Sequence, residues 1–152
     1  MADAYTLVLE AEPTADDVGY VRERLAAYNR QQAGDDHHQR LAIFVRDGTN
    51  TIVAGLVGDM YWGWLSIALL WVDAALRQQG MGTRLLRAAE AEAVRRGCHH
   101  AHVDTMSFQA LPFYLQAGYT VWGELVDMPV GHQRYFLQKA LPRGASDGQG
   151  VR

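Results

Sequence analysis

The stretch Leu69-Leu70-Trp71-Val72-Asp73-Ala74-Ala75-Leu76-Arg77-Gln78-Gln79-Gly80-Met81-Gly82-Thr83 decides how this chain is read. An apolar run with strand character ends at Asp73, a loop with glycines at 80 and 82 follows, and an Ala/Leu/Arg/Glu-rich segment continues to Arg96. Strand, glycine loop and helix in that order leave backbone N–H groups unpaired at a helix N-terminus. That end carries positive partial charge and accepts phosphate. A glycine pair alone would equally suit a tight strand–helix turn with no ligand.

Working outward, Trp64 to Asp73 is nearly continuous in apolar residues, as expected of a strand buried on both faces. Before it, Leu41 to Arg46 and Thr51 to Asp59 flank the turn signal Asp47-Gly48-Thr49-Asn50 and read as a hairpin. Trp62-Gly63-Trp64 reads as a second tight turn. Nearer the start, Tyr5 to Glu10 reads as a first strand. Thr14 then caps a helix with Asp16 and Asp17 in its first turn and Val18, Val21, Leu25 and Tyr28 on one face. After the loop come a helix from about Gly80 to Arg96, stopped by Gly97, and a strand from His100 to Met106. A short helix from Gln109 to Gln116 and strands over Tyr119–Leu125 and Gln133–Lys139 complete the order. This mixture predicts a mostly antiparallel sheet flanked by helices.

Bulk properties narrow the function. A chain of 152 residues, 49% apolar and 20% charged, is most simply one globular domain, here over 1–141, with a Gly/Ser/Asp-rich tail over 142–152 expected to be disordered. A net charge of −3 argues against a nucleic-acid binder. No run reaches the roughly 18 apolar residues of a membrane span, and the N-terminus has no signal-peptide pattern. With Cys98 as the sole cysteine, no intrachain disulfide forms and a cytoplasmic protein is expected. The histidine pairs His37-His38 and His99-His100 match no metal-ligand spacing, and His100 with His102 lacks a third ligand, so no metal is expected.

Two blocks carry a family resemblance: Val72 with Arg77-Gln78-Gln79-Gly80-Met81-Gly82, and Ala110-Leu111-Pro112-Phe113-Tyr114-Leu115-Gln116-Ala117-Gly118-Tyr119. They resemble the acyl-CoA loop and the Ala-x-x-x-Tyr…Gly-aromatic segment of the GNAT N-acetyltransferase superfamily. Leu70-Trp71-Val72, Ser107-Phe108-Gln109-Ala110 and Gly131-His132 narrow this to its small bacterial single-domain members. The resemblance implies an α+β, three-layer fold of six to seven strands whose central strands split in a V, with acetyl-CoA as donor. It also implies direct transfer to a small primary amine, such as an amino-sugar antibiotic or a polyamine, with no metal. A protein amine is the runner-up acceptor, a non-catalytic acyl-CoA sensor is the competing class, and a homodimer is common among such proteins.

The resemblance also distributes roles. Val72 and Trp71 would order the pantetheine arm, the amide near Leu70 would polarise the thioester carbonyl, and Gln78 to Thr83 would hold the pyrophosphate with Arg77 at the loop's start. Tyr114 would protonate the departing thiolate. Ser107 stands where the family often has asparagine, and Ala74 where it often has proline. The remaining candidates come from the residues themselves. Asp59, then Asp73, then Glu124 are candidate bases, although each also reads as a solvated strand-end carboxylate. Tyr61, Trp62 and Trp64 can wall a pocket for a cationic acceptor, although core packing explains part of that cluster. His132 is a further pocket candidate, with simple exposure the plainer reading.

Overall fold

The computed structural model describes residues 4–143, which form two compact units that divide after Asp36. In the first unit, α1 spans Ala15–Ala33. The Thr14 hydroxyl accepts from the Asp17 amide at 3.1 Å, and the helix stops at Gly34. The Thr14 cap was a local signal, and it operates as expected. Tyr5 to Glu10 is not a strand. The sheet of the protein ends at Gln39–Arg46, and a strand without a hydrogen-bonded neighbour has nothing to hold it. Helix α1 buries none of its residues, so the burial expected of Val18, Val21, Leu25 and Tyr28 is not met. Only the first two residues of the expected C-terminal tail fall among the described residues.

The second unit holds the sheet. Its strands are β1 (Gln39–Arg46), β2 (Ile52–Tyr61), β3 (Trp64–Val72), β4 (His100–Met106), β5 (Thr120–Val126) and β6 (Gln133–Ala140). They lie in the order β1-β2-β3-β4-β6-β5, six strands among the described residues. Every pairing is antiparallel except β3 with β4. The two hairpins fall where the turn signals stood. Helix α2 (Met81–Arg95) buries Leu85, Leu86, Ala89 and Ala93, spaced to form one face. That face meets Ala54, Leu56, Met60, Leu65 and Ile67 in the core, which α3 (Leu111–Gln116) joins through Tyr114.

A part-buried polar cluster borders the core. Glu90 accepts from Lys139 Nζ at 2.8 Å and from the Tyr119 hydroxyl at 3.1 Å, tying α2 to β6 and to the residue just before β5. Burial, followed by the neighbouring Glu90 charge, pushes the Tyr119 phenol well above its ordinary value.

One irregularity shapes the site. The β2–β3 register slips between Val57 and Gly58, leaving Ala68 as an extra residue on β3. Gly58 makes this bulge feasible, because a Cβ there would lie 2.6 Å from the Ser66 carbonyl oxygen. Gly58→Ala should therefore cost about 2 kcal/mol of stability, read as a lower urea midpoint. An unchanged midpoint would show that the bulge tolerates a side chain.

Candidate active site

Strands β3 and β4 pair only from Trp64↔His100 to Ile67↔Val103, and then part at the bulge. Beyond that point β3 pairs with β2 alone and β4 with β6 alone. The gap is a cleft of about 1110 Å³ lined by both strands, by Arg77 and Gln78, and by α3. Its floor is a strand edge that no other strand pairs. Asp73 N–H bonds back to the Val53 carbonyl on β2 at 2.9 Å. In antiparallel pairing alternate residues face opposite ways, so the N–H and C=O groups of Leu70 and Val72 turn into the cleft.

The loop closes one end of this cleft. A short 3₁₀ turn over Ala74–Leu76 is capped by Asp73, whose Oδ1 accepts from Ala75 N–H at 2.9 Å. Arg77 folds back, its Nε donating to the Val72 carbonyl at 3.1 Å, which fixes the loop to the strand end. Gly80 precedes α2 with φ of 79°, a left-handed conformation that favours glycine. Gln78 takes a similar φ of 63° without that freedom. Among the described residues, none of the amides from Gln78 to Thr83 meets a protein acceptor. This array of unpaired donors at a helix start is an anion site in physical terms. At Gly82 a Cβ would lie 3.4 Å from the Phe113 ring and 4.0 Å from Val72, so this glycine sits where loop, strand and α3 converge.

Tyr114 is 4% exposed, yet it lines the cleft and makes no hydrogen bond among the described residues. No buried side-chain oxygen or nitrogen is left unpartnered there, so its hydroxyl opens to the cleft. Burial first, and the Asp104 charge second, push its phenol up to about 12. Rings pack edge-on to it on both sides, Phe113 at 5.1 Å and Tyr119 at 5.7 Å. Such a group keeps its proton at neutral pH and can donate it.

The cleft thus gathers Leu70, Trp71, Val72, Arg77, Gln78 and Tyr114. It does not gather the other candidates. Asp59 sits on β2 opposite Ser66, on the stretch before the bulge, where it accepts from His38 Nε2 at 2.8 Å and Arg40 Nε at 3.5 Å. Asp73 is occupied as a cap. Glu124 lies on β5 opposite Tyr135. Trp62 forms the β2–β3 turn with Tyr61 edge-on at 6.3 Å, and Trp64 stacks on His100 at 4.5 Å. Trp64 starts the strand, six residues before Leu70, so it is about 20 Å from the open edge. Ser107 is turned towards β6, its hydroxyl accepting from Gln133 N–H at 3.1 Å and lying 3.2 Å from His132 Nδ1.

Sequence reading missed Asp104 and Thr105 on β4 and Phe108 and Gln109 after it, all of which line the cleft. Thr105 is a buried polar residue whose hydroxyl accepts from Ala110 N–H at 3.2 Å, seating the start of α3. An isolated threonine in a strand core position was the only available signal. Among the described residues no group of three or more His, Cys, Asp or Glu side chains is placed to hold a metal ion, and no helix is long and apolar enough to cross a membrane.

A split parallel pair beside a glycine-started helix invites comparison with known proteins. The family model for the acetyltransferase (GNAT) family matches residues 2–119. The chain belongs to the GNAT family. An acetyltransferase of Agrobacterium fabrum is 40% identical over 119 residues, 78% of this chain and 87% of that protein. Blasticidin-S acetyltransferase of Streptomyces morookaense is 43% identical over 91 residues, 59% of this chain and 67% of that one. The crystal structure of an acetyltransferase from Bacillus cereus superposes with a TM-score of 0.80 at 31% identity, over 88% of this chain and 98% of that one. This GNAT protein is therefore an acetyl-CoA-dependent acetyltransferase with the mixed α+β sheet of its family.

Proposed function

We propose that this protein transfers the acetyl group of acetyl-CoA to a primary amine of a small molecule by direct attack. The observation that carries the reading is the convergence of an open strand edge and the buried, proton-holding Tyr114 hydroxyl in one cleft. The pyrophosphate lies on the amides from Gln78 to Thr83, and the pantetheine pairs with the open edge at Val72 as an added strand would. The Leu70 amide then donates to the thioester oxygen, where negative charge grows as nitrogen attacks. Tyr114 gives its proton to the leaving sulfur.

The likeness to blasticidin-S acetyltransferase supports a small basic antibiotic as one acceptor class, beside amino sugars and polyamines. No covalent acyl-enzyme is required, and Cys98 is buried with its thiol pushed up by burial, the opposite of an activated nucleophile. A screen of blasticidin S, an aminoglycoside, spermidine and a peptide with a free N-terminus, read by thiol release, tests this. Turnover of a small amine is expected. Turnover of the peptide alone would transfer the activity to protein acceptors, and none across the panel would favour an acyl-CoA sensor.

A further inference from the structure

Within the cleft, the lining residues include a single carboxylate, Asp104. It lies one residue beyond the last β3–β4 pair, at the fork of the two strands. Its side chain is 40% exposed, and Arg134 from β6 holds it in an unusual way. Both guanidinium contacts, Nε at 2.9 Å and Nη2 at 2.8 Å, fall on the same oxygen, Oδ1. Oδ2 accepts no hydrogen bond among the described residues. A fork-shaped guanidinium ordinarily engages both carboxylate oxygens, so this arrangement orients the carboxylate and leaves one oxygen open. Asp104 is also close enough for its charge to act on the Tyr114 hydroxyl, which faces the same cleft. The carboxylate therefore sits beside the reacting end of the donor and not at its phosphates, where a negative charge would repel them.

Resting on the acetyl-transfer reading above, we propose that Asp104 is the acceptor-binding residue. Its Oδ2 accepts a hydrogen bond from the ammonium of the incoming amine, and Arg134 holds it in position. The residue thereby selects acceptors that are cationic before they react. The ammonium docks on Oδ2 and releases one proton to water in the cleft. The freed lone pair forms the C–N bond to the thioester carbonyl, and the C–S bond breaks. The thiolate takes the Tyr114 proton, and the second nitrogen proton passes to water as the amide forms. Water returns one proton to Tyr114, so one proton is released overall.

The test uses Asp104→Asn, which keeps the shape and the Oδ1 acceptor for Arg134 but removes the charge. Steady-state kinetics are run with an amine from the panel that turns over and with methoxyamine, which is uncharged at neutral pH. The acceptor KM for the cationic amine should rise ~10-fold or more, while the methoxyamine and acetyl-CoA KM values stay within about threefold. In the unaltered enzyme the cationic amine should bind better than methoxyamine, a comparison that needs no variant. Equal KM values for the two amines, or an Asp104→Asn enzyme with an unchanged cationic KM, would overturn the assignment while leaving acetyl transfer intact. If the unaltered enzyme acetylates no amine, the acetyl-transfer reading falls first and this assignment with it.

Discussion

Tyr114→Phe lowers kcat by ~10²-fold or more while coenzyme A affinity and the unfolding midpoint stay near their original values. The structure supplies a reason for each part of that expectation. The hydroxyl makes no hydrogen bond among the described residues, so its removal orphans no buried partner. The ring remains between Phe113 and Tyr119, so packing is retained. What is lost is the proton that the proposed mechanism gives to the departing sulfur. Steady-state kinetics beside a calorimetric titration with coenzyme A separate these effects, and unchanged kcat would remove Tyr114 from the acid role.

The same phenol fixes a pH prediction. Its value is raised to about 12, so the protonated, donating form persists through the neutral and moderately alkaline range. Activity should climb with pH as more acceptor loses its proton. It should show no decline up to about pH 10 that depends on Tyr114. A falling limb in that range, absent in Tyr114→Phe, would show that the tyrosine loses its proton earlier.

The second large effect is on donor binding. Gly82→Glu places a carboxylate at the start of α2, beside the unpaired amides from Gln78 to Thr83. At several ångströms' separation in a partly solvated site, like charges cost ~2–3 kcal/mol, so Kd for acetyl-CoA should weaken roughly 30- to 100-fold. Gly82→Ala is the steric control. Its Cβ would meet the Phe113 ring at 3.4 Å, an ordinary contact, so affinity should change little. Acetyl-pantetheine, which lacks the pyrophosphate, should bind both variants alike. Equal acetyl-CoA affinity for Gly82→Glu and the unaltered chain would show that the pyrophosphate lies elsewhere.

Much of the sheet was legible because its signals are local. Asp47-Gly48-Thr49-Asn50 and Trp62-Gly63 are turn sequences flanked by apolar runs, and both made hairpins at those places. The Ala/Leu/Arg/Glu-rich run ending before Gly97 made helix α2. Tyr5 to Glu10 misled because apolar residues give a segment strand character but not a strand partner. Asp59 and the tryptophans fall outside the cleft for another reason. Nearness along the chain to the open strand says nothing about distance when the strand itself runs about 20 Å, as it does from Trp64 to Leu70.

By itself the sequence determined the donor side of this protein. The anion site proposed for it is built from consecutive backbone amides, and the glycine that turns them is written at position 80. Only the tertiary structure brought together the residues proposed for the acceptor side. The strands part because their shared register ends at Ile67↔Val103, where a bulge lodges against Gly58. Asp104 meets Arg134 across thirty positions of chain, through the register of β4 with β6. Side chains that meet through strand register leave no spacing in the sequence, and so the carboxylate proposed to bind the acceptor became visible only in the folded sheet.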